Sequence, residues 1–380
     1  MRSILVVDEA YLVEALRELV KTPSPPGGEE AVAKLVAFKL REIGIRAEVD
    51  EYFNVVATIG SGSPKLLLNA HLDTVPPGDG WSVDPYSGLL KDGKVYGRGA
   101  SDNKAGVAAM LAIAKELSNM DVRGELTLLF TSREEGGNKE EARRHLKGRI
   151  KADAGICLDY HIDAEAKLCE VVVGCRGIAN LRVTIKGRSW HSSEPEKGVN
   201  AIYSACDLIK RIREGEGLRE VKEPMPIRED VSVTYIKGGE WPTMIPDSCE
   251  LNINFRLLPD LDPLDALERT KALVEGIPSE IEIRAASGAK GYLIDTSSPI
   301  VKAAVNAARA QGLTAELAVA KGWLDAAQLS RMLSAPVICI GTMTKGQAHV
   351  KDEYVKVVDA VTGARVALKT VQLYLASPGA

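Results

Sequence analysis

Histidine and carboxylate side chains that could bind metal ions or transfer protons are concentrated between residues 66 and 138 of this 380-residue chain. His71 and Asp73 lie two positions apart, at the end of an apolar run that predicts a buried strand. Alternate residues of a strand share one face, so both side chains face the same way. A carboxylate beside a metal-binding imidazole fixes its tautomer and raises its basicity. Alone, the pair is more often a structural histidine beside a capping aspartate.

Three more carboxylates follow in the same stretch. Asp102 opens a helix predicted over residues 101–118, where the helix dipole favours a carboxylate and where its two oxygens could bridge two ions. Glu134 and Glu135 follow the strand-like ELTLLFT and point to different sides, so one could bind a metal while the other acts as a base. Close like charges raise a carboxyl pKa, which suits a general base. Taken singly, Asp102 also fits a plain helix cap, and the pair of glutamates fits a solvated acidic loop better than a metal site.

Ligand-type side chains also follow two later strand-like runs. Asp159 ends GICLD, and His161 lies two residues further on as a possible substitute ligand. His349 follows VICIG in a loop that contains glycine. In open α/β sheets, sites form beyond the carboxyl ends of the strands. The combination of four such strand ends therefore predicts one metal site at one edge of a sheet.

The order of predicted helices and strands, which must position these residues, changes along the chain. Helices alternate with buried strands before about residue 177 and after about residue 291, which predicts an α/β fold with a mixed sheet. The segment between has strand–helix–strand–strand–helix–strand order, which is typical of a ferredoxin-like α+β sandwich. We therefore predict a catalytic metal-binding domain of residues 1–177 and 292–380 and an inserted domain of residues 178–291. Residues 54–59 and 66–71 are predicted as separate strands.

The composition argues against several classes of protein. A net charge of −4 gives no electrostatic reason to expect nucleic acid or an acidic membrane as partner. No apolar run approaches the roughly 20 residues of a membrane span. The start of the chain lacks the features of a signal peptide, so we expect a cytoplasmic enzyme. Six scattered cysteines without a CxxC pair argue against a thiolate zinc site and a disulfide framework.

Six motifs, taken in order, carry a resemblance to a known family. They are HLDTVP, YGRGASDNKAG, TSREEGG, WHSSEPEKGVNAI, FRLLP and AHVKDEYV. In this order they resemble the zinc-dependent amidohydrolase and peptidase family that contains acetylornithine deacetylase, succinyl-diaminopimelate desuccinylase, aminoacylase and glutamate carboxypeptidase. The resemblance covers nearly the whole chain. It implies a dinuclear-metal hydrolase that acts on linear amide or peptide bonds.

The resemblance implies two ions with one shared ligand. The implied ligands are His71 and Asp159 for one ion, Glu135 and His349 for the other, and Asp102 for both. Imidazole and carboxylate donors without sulfur suit two zinc ions, with cobalt or manganese as possible substitutes. The resemblance also implies a cis peptide bond between Asp102 and Asn103.

The resemblance assigns further roles outside the ligand set. Glu134 would be the general base, and Asp73 would orient His71. His191 would stabilise the tetrahedral oxyanion from a partner subunit, and Arg256 would bind a substrate carboxylate through paired hydrogen bonds. Without the resemblance, His191 and Arg256 would be interpreted as surface residues. With the resemblance, the inserted domain would serve as a dimerisation or lid domain. The expected partners are a small N-acyl amino acid or short peptide and a second copy of the chain.

Three positions depart from the commonest pattern of the family. Asp159 precedes Tyr160 where acylases and carboxypeptidases usually have Glu before Pro-Thr, and aspartate there resembles dipeptidase and aminopeptidase members. Thr243 replaces an Asn near the oxyanion site, and Trp190 replaces a small residue before His191. We predict a deacylase of N-acyl amino acids, of the acetylornithine deacetylase or succinyl-diaminopimelate desuccinylase type. The alternatives are a metallo-carboxypeptidase or dipeptidase of the same family and, disfavoured by the intact site residues, a non-catalytic binding protein.

Overall fold

A computed structural model describes residues 6–136, 139–215, 217–223 and 225–377. Gly137 and Asn138, at the end of the ligand-rich stretch, lie outside the described residues. The helices are α1 (Glu9–Val20), α2 (Glu30–Glu42), α3 (Lys104–Leu117), α4 (Lys139–Leu146), α5 (Ala201–Arg213), α6 (Pro263–Leu273), α7 (Pro299–Ala310), α8 (Asp325–Leu333) and α9 (Val357–Ala376).

The strands are β1 (Ala47–Val49), β2 (Val55–His71), β3 (Leu89–Lys91), β4 (Lys94–Tyr96), β5 (Arg123–Thr131), β6 (Ala154–Cys157), β7 (His161–Asp163), β8 (Leu168–Cys175), β9 (Gly177–Lys186), β10 (Glu220–Val221), β11 (Ile227–Arg228), β12 (Asp230–Gly238), β13 (Ser248–Leu257), β14 (Glu280–Ala289), β15 (Tyr292–Leu293), β16 (Thr314–Ala320), β17 (Val337–Cys339), β18 (Met343–Thr344) and β19 (Tyr354–Lys356). Among the described residues, no helix combines the length and apolar character needed to cross a membrane.

The chain divides into two compact units. The first comprises Met1–Val173, Ile294–Ala318 and Leu324–Ala380, and the second comprises Gly174–Leu293 and Val319–Trp323. The last five-residue segment lies outside the predicted inserted domain. Two side chains bond this segment to the rest of the second unit: Arg176 Nε donates to the carbonyl of Lys321 at 3.0 Å, and Trp323 Nε1 donates to the carbonyl of Lys290 at 3.0 Å. The roles assigned to the two predicted domains stay predictions.

A mixed sheet forms the centre of the first unit, as the predicted α/β class requires. Residues 65–71 of β2 are parallel to β5, and β2, β6 and β17 are paired in parallel, whereas β8 is antiparallel to both β17 and β7. The parallel strands end at His71, Thr131, Cys157 and Cys339. Because parallel strands bring their carboxyl ends to the same edge of the sheet, the loops that follow them converge there.

Strand β2 has two arms that pair with β5 in opposite directions. Val55 lies opposite Phe130 and Gly60 opposite Glu125, so the first arm is antiparallel to β5, whereas residues 65–71 pair with residues 125–131 in parallel. This reversal agrees with the prediction of separate strands over residues 54–59 and 66–71, although both arms belong to one continuous element.

The helix predicted from residue 101 begins at Lys104, so the prediction that Asp102 opens it is wrong. The Asp102–Asn103 peptide bond is cis, as the resemblance implies.

The second unit has the predicted order of strands and helices. Strands β12, β13, β9 and β14 lie side by side in that order, each antiparallel to its neighbour. Their alternate apolar residues pack with α5 and α6 into one core, which includes Leu181, Val183, Leu208, Ile253 and Ala266. The antiparallel sheet with its two helices forms a separate core, and the assignment of this unit as a ferredoxin-like dimerisation domain stays a prediction.

Candidate metal centre

His71 is the last residue of β2 and lies almost fully buried at the carboxyl edge of the sheet. Its Nε2 is 3.1 Å from Oδ1 of Asp102 and 3.8 Å from Oδ1 of Asp159. Its Nδ1 lies 2.9 Å from the backbone carbonyl oxygen of Asp73. A carbonyl can only accept, so Nδ1 carries a proton that points to Asp73, and in the neutral ring the Nε2 lone pair is available to a cation.

Asp102 presents its two carboxylate oxygens to two different histidines. Oδ1 faces His71, and Oδ2 lies 3.4 Å from Nε2 of His349. The same Nε2 lies 2.8 Å from Oε1 of Glu135. Ligand atoms of His71, Asp102 and Glu135 all lie within 4.8 Å of one another. This geometry is what a carboxylate that bridges two cations requires.

The Asp73 carboxylate holds the acidic loop more closely than it holds His71. Oδ1 accepts the backbone N–H of Glu134 and Oδ2 accepts that of Glu135, each at 2.9 Å. Its Oδ1 is 3.6 Å from His71 Nδ1, beyond ordinary hydrogen-bond length. The Asp73 carbonyl therefore orients the histidine, and the carboxylate fixes the positions of the two glutamates.

Two residues that the sequence analysis missed hold the start of the same loop. Asn54 Oδ1 accepts the N–H of Ser132 at 3.0 Å, and the buried Glu29 accepts the N–H of Arg133 at 2.9 Å. Arg133 has a φ of 58°, which is uncommon for a residue with a side chain. Neither contact could be read from the sequence, because Asn54 and Glu29 are far from the loop along the chain and carry no ligand motif.

The charges of the site favour a cation. Burial and the nearby carboxylates of Asp102, Glu134 and Glu135 raise the pKa of Asp159 well above its usual range. The hydrogen bond to Glu135 raises the pKa of His349 to about 9, with a further contribution from Asp102. Carboxylates that are this crowded disfavour their own ionisation unless positive charge is supplied. Nitrogen and oxygen donors with this excess of negative charge fit divalent metal ions.

Asp159 and His161 occupy different surroundings, although only two positions separate them. His161 Nε2 lies 2.6 Å from Oε2 of Glu170, and its ring stacks on Tyr160 at a centroid distance of 4.1 Å. Asp159 instead lies beside His71. The geometry therefore favours Asp159 over His161 as the ligand after β6.

His191 and Arg256 lie in the second unit, whereas the other seven predicted site residues lie in the first. The backbone N–H of Ser193 donates to His191 Nδ1 at 3.2 Å. An N–H cannot accept, so a neutral His191 ring carries its proton on Nε2 and can donate from there. Arg256 is half-buried on β13, and burial together with the charge of Arg176 lowers the pKa of its guanidinium.

One further buried carboxylate reaches the site and was not predicted. Glu353 lies in the AHVKDEYV motif, and it accepts the backbone N–H of Asp102 at 3.0 Å. The sequence signal available was an acidic residue directly before a short strand. Such a residue is usually solvated, and its partners lie some 250 positions away, so the signal did not distinguish it.

Known proteins resemble this chain in sequence and in fold. The family described as Peptidase family M20/M25/M40 matches residues 67–373. The chain is 31% identical over 371 residues to succinyl-diaminopimelate desuccinylase of Wolinella succinogenes, covering 95% of this chain and 99% of that protein. It is 29% identical over 366 residues to acetylornithine deacetylase of Proteus mirabilis, covering 90% and 91%. A solved tripeptidase structure from Staphylococcus aureus matches with a TM-score of 0.81 at 23% identity, covering 98% of this chain and 100% of that one. At this identity, the match shows a shared fold.

Proposed function

The chain belongs to Peptidase family M20/M25/M40, and from that premise we propose that it is a two-zinc hydrolase that deacylates N-acyl amino acids. The observation that carries the proposal is the Asp102 carboxylate, whose oxygens lie 3.1 Å from His71 and 3.4 Å from His349. The acyl amino acid class is supported by the desuccinylase and deacetylase relatives, each of which matches at least 90% of this chain. Their reactions belong to amino-acid biosynthesis, so we propose the same setting here.

The proposed ligands divide between two ions. His71 and Asp159 hold one, Glu135 and His349 hold the other, and Asp102 bridges both. Imidazole and carboxylate donors suit zinc, and they also accept cobalt or manganese. When bound, the ions would polarise the scissile carbonyl and lower the pKa of the attacking water.

Glu134 is the proposed general base. Its backbone N–H is held by Asp73, directly before that of the ligand Glu135, so the base and the ligand share one anchor. Its charge contributes to the raised pKa of Asp159. We propose that the Glu134 carboxylate takes a proton from the attacking water and passes it to the leaving amine nitrogen.

The second unit supplies the proposed substrate contacts. The Nε2 proton of His191 would donate to the developing oxyanion, and the Arg256 guanidinium would bind a substrate carboxylate through two hydrogen bonds. A homodimer is supported by exposed apolar side chains on this unit, where Tyr203 is 70% exposed and Ile236 51% exposed. Ile236 lies on β12, an edge strand that could pair with another chain. The cytoplasmic location expected from the sequence stays a prediction.

Peptide hydrolysis is the second candidate activity. Asp159 stands where acylases and carboxypeptidases usually have glutamate, and aspartate there resembles dipeptidase and aminopeptidase members of the family, so it supports a dipeptidase in particular. A metallo-carboxypeptidase or dipeptidase would use the same ions and the same base. The two candidates therefore differ in the leaving group and the acyl group that the substrate pocket accepts.

A substrate panel tests the proposal. The zinc-loaded protein would be assayed with N-succinyl-diaminopimelate, N-acetylornithine, other N-acetyl amino acids and dipeptides. We expect the highest kcat/KM for an N-acyl amino acid. A clear preference for dipeptides would favour the second candidate, and failure to hydrolyse any amide would contradict both.

A further inference from the structure

Glu353 is a fully buried carboxylate. It has no role in the metal binding, proton transfer or substrate binding proposed above. Its Oε2 accepts a hydrogen bond from Arg98 Nη1 at 2.7 Å and one from the N–H of Gly99 at 3.0 Å. Its Oε1 accepts the N–H groups of Ser101 at 2.9 Å and Asp102 at 3.0 Å. Four donors from one short loop thus converge on a single side chain.

Strand pairing brings Glu353 to this loop. Tyr354, the first residue of β19, pairs with Tyr96, the last residue of β4. One step further, the N–H of Gly97 donates to the carbonyl oxygen of Glu353 at 2.9 Å. The register of β4 and β19 therefore sets Glu353 directly against the loop that leads to Asp102.

The chain before Glu353 carries the second histidine of the site. His349 and Asp352 have φ values of 60° and 53°, in the left-handed region that residues with side chains seldom adopt. This compact path allows one loop to place His349 against the Asp102 carboxylate and Glu353 against the Asp102 backbone. The two contacts hold the side chain and the main chain of the same residue.

We infer that Glu353 is a positioning residue that fixes Asp102 relative to His349 and thereby couples the two ion sites. The inference rests on the proposed two-ion function. Because Asp102 would supply one oxygen to each ion, a displacement of its backbone would disturb both sets of ligands at once. Glu353 itself contacts neither the ions nor the substrate in this account.

Glu353→Gln is the variant that tests the inference. Glutamine keeps the size of the side chain but replaces one acceptor oxygen with an NH₂ donor. Whichever way the amide is turned, two of the four donors lose their acceptor and face another donor.

Glu229→Gln is the matched control. Glu229 is also fully buried and accepts from the Arg269 guanidinium at 2.6 and 2.9 Å and from the N–H of Arg219 at 2.8 Å. It lies in the second unit, which carries none of the proposed metal ligands. Glu229→Gln therefore removes a buried carboxylate and its hydrogen bonds without changing the loop that contains Asp102.

Zinc would be titrated calorimetrically into the metal-free full-length wild type and both variants, with thermal unfolding recorded for each. We expect two ions per chain for the wild type and for Glu229→Gln. For Glu353→Gln, we expect the affinity for at least one ion to fall by about 10- to 100-fold, as for other residues that orient metal ligands. A purely structural role would instead lower the Tm of both variants and leave zinc affinity unchanged.

The outcomes separate the inference from the function on which it rests. A folded Glu353→Gln protein with wild-type affinity for both ions overturns the inference and leaves the proposed function intact. A wild type that binds no zinc contradicts both. If Glu353→Gln does not fold, Glu353→Asp decides in its place, because it keeps the charge on a side chain one methylene shorter, and unchanged affinities would again overturn the inference.

Discussion

Three carboxylates in and around the candidate site bind different groups, and this difference separates their proposed roles. Asp102 faces two imidazoles, whereas the Asp73 carboxylate accepts two backbone N–H groups. Glu353 accepts three backbone N–H groups and a guanidinium. A carboxylate that already accepts several N–H groups has few lone pairs left for a cation. Asp102 is therefore the one of these three that suits metal binding.

Replacement of Glu134 should separate proton transfer from metal binding. We expect Glu134→Gln to lower kcat by about 10²–10⁴-fold, because the amide cannot take a proton from water. Metal content should stay unchanged. Steady-state kinetics on the best substrate, together with metal analysis, checks this.

The control is Glu141→Gln, which alters an exposed glutamate on α4 that bonds to Tyr52 at 3.0 Å. It should keep wild-type turnover. A Glu134→Gln enzyme with full turnover would remove Glu134 from the role of base.

Zinc binding should release protons at neutral pH. The hydrogen bond to Glu135 raises the pKa of His349 to about 9 in the metal-free protein, so the imidazole is mostly protonated at pH 7. Only the neutral imidazole can bind a metal, so zinc affinity should rise with pH until about 9 and fall as the pH is lowered. Calorimetry in buffers of different ionisation enthalpy measures the protons released. Heats that do not depend on the buffer would contradict this assignment.

At the scale of elements, loops of the first unit are held by side chains from segments distant in sequence. Apolar patterns predicted the strands that end near His71 and Asp159, because burial dictates residue type there. The anchors of the loops could not be predicted, because a polar residue in a loop has the same sequence signal whether it is solvated or buried. Glu29 and Asn54 illustrate this, since each accepts a single N–H from the loop that follows β5.

The ion pair between Arg143 of α4 and Asp325 of α8 should be the strongest of these anchors. Both side chains are 1% exposed, and the pair is 2.5 Å long. Arg143 also donates to the carbonyl of Ser132 at 2.8 Å. We expect Asp325→Asn to lower the free energy of unfolding by about 3–5 kcal/mol, because it leaves a buried guanidinium without its counter-charge. Urea denaturation measures the change.

An exposed pair provides the comparison for that variant. Glu30 and Lys34 form an i,i+4 pair on the surface of α2. Glu30→Gln should leave the free energy of unfolding nearly unchanged. Equal small effects from both substitutions would show that the Arg143–Asp325 pair does not anchor the loop.

At the scale of the whole molecule, changes in periodicity along the sequence predicted the mixed α/β fold class, whereas the ferredoxin-like inserted domain stays a prediction. The order of six motifs predicted the family, which residues 67–373 match. What the sequence could not supply was the pairing of β4 with β19, because short strands carry little pattern and their register depends on contacts across the chain. Glu353 was missed for that reason.

Subunit mixing should reveal whether His191 acts on the site of a partner. His191→Ala and Glu134→Ala chains should each be inactive alone. If His191 acts in trans, a mixed dimer contains one site with both residues intact, so mixing should restore part of the activity. Each variant mixed with itself is the control. No recovery in a mixture shown to contain mixed dimers would argue against action in trans.

We propose that Asp102 bridges two zinc ions in a site that hydrolyses an amide. Elemental analysis of active protein before and after treatment with EDTA, with the hydrolysis rate measured on the same samples, tests this most directly. We predict two zinc ions per chain, loss of both ions and of activity after EDTA, and recovery of both when zinc is returned. Full activity in protein freed of metal would contradict the account.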